Sequence, residues 1–126
     1  MFEHIDPRSS TPLYAQIADR VRVAIAAGEL RAAAPLPSVR ELAARLRVNP
    51  ATIAQAYREL EAEGFVEIRH GAGTYAREVA PGRRTRERAR QAKALVERLL
   101  GDARRMGVSL DELREAIDGA LGANTT

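Results

Sequence analysis

The chain has 126 residues, enough for one small domain with an appended element but short for two independent cores. It has no cysteine, which excludes disulfides, thiolate metal sites and a cysteine nucleophile; its two histidines, His4 and His70, sit in no Ser/His/Asp or metal-ligand pattern. Net charge is +3, yet residues 1–78 hold ten Lys/Arg against ten Asp/Glu and 79–126 hold ten against seven, so a nucleic-acid partner must be argued from local arrangement.

The opening "MFEHIDPRSS" lacks a signal-peptide profile, and no apolar run nears the roughly 18 residues of a membrane span. The expectation is a soluble, cytoplasmic, non-enzymatic protein without a cofactor or metal and with no membrane partner. Thr11-Pro12 reads as an N-cap followed by proline at the first helical position, and Gly28 lies just past the end. Between them Leu13, Ile17, Val21 and Ile25 recur every four residues, predicting a helix over 12–27. "SVRE" at 38–41 reads as a capping box that opens a helix over 39–46. Asn49-Pro50 restarts the chain as cap and first turn of a third helix, with Ile53, Ala56, Tyr57 and Leu60 inward and Gly64 as terminator.

"FVEIRHGAGTYARE" then switches to period two, which predicts a hairpin with a glycine-bearing tip. Helix, helix, short turn, helix, hairpin is the order of a winged helix-turn-helix. "VAPGRR" at 79–84 reads as a junction. A fourth helix follows over 85–106, with Ala92, Leu95, Val96, Leu99, Leu100, Ala103 and Met106 on a broad apolar face. "SLDE" at 109–112 is a second capping box, opening a helix with Leu110, Leu113, Ile117 and Leu121; "GANTT" reads as a frayed tail. The expected fold class is mainly α with a small β-hairpin: a winged helix-turn-helix over 1–78, then a two-helix C-terminal dimerisation element, short and open to an effector-linked role, over 79–126.

"PLYAQIADRVRVAIAAGEL" and "LPSVRELAARLRVNPATIAQAYRELEAEGFVEIRHGAGTY" together resemble the GntR family of bacterial transcription regulators over residues 12–76. The short two-helix tail is similar to the YtrA-like branch, and "VNPATIAQAYRELEAEG" is especially close to it. That resemblance implies dimerisation through the C-terminal part, with no large effector domain. Three departures stand out. Ala33 occupies the place of an expected turn glycine, and Arg47 the turn position where many such units carry glycine. A left-handed conformation there costs about 1–2 kcal/mol. Finally, Pro50, Ala51 and Ala54 replace the arginines that many relatives carry at the start of the third helix, so base preference cannot be transferred.

Arg40 stands at a helix start, where a cation opposes the backbone dipole by about 0.3–1 kcal/mol. Free helix amides together with Ser38 and Arg40 suit a DNA phosphate, and the resemblance implies that the matching arginine contacts DNA. Residues 50–58 hold no acid, whereas "ELEAE" at 59–63 holds Glu59, Glu61 and Glu63. A recognition helix enters the major groove by its N-terminal residues, so the acids fall at the far end. Pro50, Ala51 and Ala54 permit close approach, and Thr52 and Gln55 are the candidate base readers. Asn49 is a cap first and a phosphate ligand second; Tyr57 reads as core. Arg45, Arg47 and Arg58 flank this head, and residues 36–58 sum to four arginines against one glutamate. In the wing, Arg69, His70 and Gly71 occupy the tip, which the family resemblance directs to the minor groove or its phosphates.

The run "RRTRERARQAK" at 83–93 carries six cations against one anion, read mainly as a solvated linker and outer helix face, with flanking phosphate or an anionic effector as the alternatives. An apolar surface wider than two helices can cover by themselves assigns Leu95, Val96, Leu99, Met106, Leu113 and Ile117 to dimerisation. The reading is a dimeric, sequence-specific regulator, a repressor, bound to a double-stranded DNA operator of inverted half-sites about 34–36 Å apart. An unidentified small-molecule effector remains open. The alternative is a winged helix used only for protein–protein interaction, weakly favoured by the zero net charge of 1–78.

Overall fold

The structure, a computed structural model, describes residues 1–124. In chain order its elements are α1 (Leu13–Ala26), α2 (Val39–Leu46), α3 (Pro50–Ala62), β1 (Val66–Arg69), β2 (Gly73–Ala76), α4 (Pro81–Arg105) and α5 (Leu110–Asn124). The chain divides into two compact units, Met1–Ala89 and a second that begins at Arg90.

The first unit is a three-helix core with an attached hairpin. The fourfold spacing in α1 buries Ile17, Val21 and Ile25 against Leu42 of α2 and against Ile53, Ala56, Tyr57 and Leu60 of α3. Each isoleucine, leucine or valine among them contributes about 1.5–3 kcal/mol on withdrawal from water. Ser38 Oγ accepts from the Glu41 amide at 3.0 Å, and Asn49 Oδ1 accepts from the Ala51 amide at 2.9 Å. Both helices therefore start where the caps were read. Thr11 does not cap α1: Pro12 itself holds the N-cap position without a side-chain bond, while the Thr11 carbonyl accepts from Gln16 Nε2.

Arg47 takes the left-handed conformation at φ 57°, so the turn between α2 and α3 keeps its shape without glycine. Ala33 does likewise at φ 69°. Its strain is offset by pairing: the Ala33 amide donates to the Ala76 carbonyl, the Ala76 amide to Ala34, and the Leu36 amide to Thr74. Residues 33–36 thus flank β2 on the side opposite β1, with Pro35 bridged to Tyr75. β1 and β2 are antiparallel, in the register Val66 to Ala76 and Arg69 to Gly73. The N-terminal segment also joins the core. Phe2 is buried, Ile5 packs against the core, and Gln16 holds the segment through the backbone of Asp6 and Thr11.

Residues 79–84 are not a linker. Val79 is buried and α4 begins at Pro81, ahead of the expected start at 85. The cause lies in the cation run. Arg83 Nη2 donates to the Glu63 carbonyl at the end of α3, and its guanidinium stacks 4.4 Å from the Phe65 ring centre. Gly64 turns there at φ 84°, and a Cβ on it would lie 3.3 Å from Arg83 Nη1. Arg88 Nη1 donates to the Ala26 carbonyl, the last residue of α1. Two cations of the run therefore satisfy open carbonyls at helix C-termini, where a positive charge is favoured. Residues 81–89 of α4 accordingly belong to the first unit, so the division lies inside α4 instead of at 78/79.

The second unit pairs the rest of α4 with α5. Gly107 turns at φ 74° after α4. Ser109 and Glu112 form a reciprocal box, with the Glu112 amide on Ser109 Oγ at 3.1 Å and the Ser109 amide on Glu112 Oε1 at 2.9 Å. These bonds hold the Glu112 carboxyl below its ordinary range. α5 continues through Asn124, so "GAN" is helical instead of frayed; Thr125 and Thr126 lie outside the described residues.

Arg83→Ala removes a charged hydrogen bond and a stacked cation, and is expected to lower stability by about 2 kcal/mol. Chemical denaturation of the two proteins measures it. An unchanged midpoint would mean that α4 is held without this clasp.

Candidate nucleic-acid interface

The first unit places most of the candidate residues on exposed positions around α2, α3 and the hairpin. Ser38 and Arg40 lie at the start of α2, with Arg40 exposed. Among the described residues Arg40 has no ion-pair partner: Glu41 faces Arg45 at 3.8 Å, and Glu61 Oε2 accepts from the Ile68 amide at 2.7 Å. The cation at the head of α2 is therefore uncompensated within the first unit.

Tyr57 links this position to α3. Its side chain is buried, and its hydroxyl donates to the Pro37 carbonyl at 2.7 Å, immediately before the Ser38 cap. Tyr57 is thus core, as its spacing suggested. Burial, reinforced by the charge of Glu41, pushes its pKa well above the ordinary value.

Along α3, Pro50, Ala51, Gln55 and Arg58 are exposed, and Thr52 and Ala54 are half-buried. The side chains of Gln55, Arg58 and Arg47 have no hydrogen-bond partner among the described residues. Asn49 is exposed and uses its side-chain oxygen on the helix, with no partner for its amide nitrogen among the described residues. Two of the three acids at the other end of α3 have internal uses. Glu63 takes a two-pronged bond from Arg22, Nε to Oε2 at 2.8 Å and Nη2 to Oε1 at 2.7 Å. That bonding raises the Arg22 pKa against the opposing effect of burial. Glu61 fixes β1 to the end of α3.

At the hairpin tip His70 and Gly71 are exposed, with Gly71 at φ 77° as the turn requires. Arg69 behaves differently. Its guanidinium carbon lies 4.5 Å from the Tyr75 ring centre, and Nη2 lies 3.2 Å from Glu67 Oε2. Neither contact was read from the sequence; the alternation of β1 and β2 holds the signal only once their register is known.

The second unit, taken by itself, exposes Leu95, Val96, Leu99, Met106, Leu110, Ile117 and Leu121, with Leu113 half-buried and Ala103 buried. Met106 is 75% exposed and Leu95 60%. Among the described residues no helix is long and apolar enough to cross a membrane, and no cluster of three His, Asp or Glu could hold a metal.

Residues 13–76 match the model of bacterial regulatory proteins of the gntR family. The protein belongs to the GntR family. It is 42% identical over 113 residues to the HTH-type transcriptional repressor YtrA of Bacillus subtilis, covering 90% of this chain and 87% of that one. A GntR family transcriptional regulator from Listeria monocytogenes has a similar solved structure, with a TM-score of 0.65 and 33% identity over 88% of this chain and 96% of that one. YtrA from Sulfolobus acidocaldarius, a GntR-family transcription factor, aligns with a TM-score of 0.58 and 37% identity over 75% of this chain and 99% of that one. The winged helix-turn-helix fold and the role of DNA-binding transcription regulator, not enzyme, follow for this GntR protein.

Tyr57→Phe tests the link between the helices. It is expected to cost about 1 kcal/mol at neutral pH, since the Pro37 carbonyl loses its donor. The phenol's contribution is present below its ordinary pKa of 10 and is lost as the pH rises above it, because ionisation favours the unfolded chain. Denaturation midpoints of the two proteins should therefore converge at alkaline pH. A gap that persists or widens would contradict this assignment.

Proposed function

We propose that this GntR protein is a cytoplasmic homodimeric repressor that reads an inverted-repeat operator in double-stranded DNA. One observation carries the reading: the half of α3 nearest its N-terminus is free of acids and of side-chain partners, beside an uncompensated Arg40 at the head of α2. In this reading α3 enters the major groove by its first turns. Pro50 and Ala51 allow close approach, Gln55 bonds adenine, and Thr52 touches a thymine methyl. The amides of α2, with Ser38 and Arg40, hold a phosphate. Arg47, Asn49 and Arg58 neutralise neighbouring phosphates, and Arg69, His70 and Gly71 enter the adjoining minor groove.

In this reading residues 1–78 address DNA and 79–126 carry dimerisation, with 79–89 packed on the first unit and the apolar stripe beginning at Leu95. Leu95, Val96, Leu99, Met106, Leu113 and Ile117 would be covered by the second copy, since so exposed an apolar stripe is costly on a lone helical pair. The YtrA relative of Bacillus subtilis is named a transcriptional repressor, which supports repression here. An effector acting through 79–126 is compatible with this arrangement.

The test is binding to duplex DNA from upstream of its own coding region, at two salt concentrations. Tight, sequence-selective binding that weakens steeply with salt is expected; salt-insensitive or absent binding contradicts the reading. Arg40→Ala should weaken binding by about 1–3 kcal/mol with the melting temperature unchanged. Equal affinity would remove Arg40 from the interface. Gln55→Ala should relax preference at one base pair per half-site, read from a panel of single-base variants; an unaltered profile would reject that role.

A further inference from the structure

We propose that Tyr75 is a positioning residue, which holds Arg69 ready for the minor groove and thereby sets discrimination of the base pairs flanking each half-site. The inference rests on the proposed reading that the hairpin meets DNA.

Tyr75 has a rigid mount. Its backbone lies opposite Glu67 of β1 and is bridged on its other side to Pro35. Its hydroxyl donates to the Ala72 carbonyl at 3.0 Å, which fastens the side chain to the turn it supports. Strand alternation puts Glu67 and Arg69 on one face of β1, with Tyr75 directly across from Glu67 and diagonal to Arg69. The guanidinium rests over the ring at 4.5 Å while Glu67 takes one of its N–H groups. An unsupported arginine loses many rotamers on ordering; here the ring and Glu67 already favour one arrangement.

The neighbouring tip residue contrasts with it. His70 is exposed and has no hydrogen-bond partner among the described residues. Of the two polar tip side chains, Arg69 is the one with a support that fixes its aim. A narrow A·T-rich minor groove concentrates negative potential, and a pre-aimed guanidinium responds to it at little ordering cost.

The experiment compares two duplexes that share both half-sites but differ in their flanks, one A·T-rich and one G·C-rich. Wild type should prefer the A·T flanks by about fivefold or more. Arg69→Ala should abolish the preference, and Tyr75→Leu should reduce it about threefold, the size expected for an exposed cation–π contact. Tyr75→Phe, which keeps the ring, should retain most of it. In the Arg69→Ala background Tyr75→Leu should change nothing further, an outcome that a merely structural role would not give. If Tyr75→Leu unfolds, Tyr75→Val, a strand former without the ring, replaces it.

Independent, multiplying losses from the two substitutions would overturn the inference, as would a full flank preference in Tyr75→Leu. A preference that survives Arg69→Ala would overturn the wing contact itself. Failure of the wild-type protein to bind either duplex would overturn the proposed function instead.

Discussion

The bond from the Tyr57 hydroxyl to the Pro37 carbonyl joins the middle of α3 to the residue that precedes the α2 cap. Both parts of the proposed reading surface depend on it, because Arg40 and the free α2 amides lie on one side of the link and Gln55 on the other. The phenol is buried, so its hydroxyl has no water to turn to and the carbonyl has no substitute donor. Around the link, the left-handed turn at Arg47 and the cap at Asn49 fix where α3 starts. That turn is strained for a non-glycine residue, a cost of about 1–2 kcal/mol that the surrounding helices must offset.

A second constraint is the use made of charge. The chain up to residue 78 has no net charge, yet the start of α3 faces solvent without an acid. Two of the three acids of "ELEAE" are drawn into the frame: Glu63 is taken by Arg22, and Glu61 by the Ile68 amide. Arg83 and Arg88 are likewise spent on the C-terminal carbonyls of α3 and α1. Around the start of α3, Arg40, Arg47 and Arg58 have no ion-pair partner among the described residues. Net charge misleads here because pairing, not totals, decides what a duplex would meet.

Much of the fold was legible because its signals are local. Ser38, Asn49 and Ser109 each cap within three residues, and the fourfold spacing of α1 needs no tertiary context. Three features were not legible. The basic stretch after Pro81 resembles a linker until the ends of α1 and α3 are seen to lie against it. Residues 33–36 show no strand period, since their order comes from pairing with β2. Phe2 and Ile5 are too few to form a pattern, and only Gln16 reveals that they are held. The candidate site divides in the same way. Exposed helix positions could be named from spacing, whereas the support of Arg69 by Tyr75 requires the hairpin register.

Selection of preferred sites from a pool of random duplexes tests the central claim most directly, that an acid-free helical tip and an unpaired cation address DNA as a symmetric pair. The account predicts enrichment of an inverted repeat whose half-site centres lie about one helical turn apart, near 34–36 Å. Enrichment of a lone asymmetric site, or of no sequence at all, would contradict it.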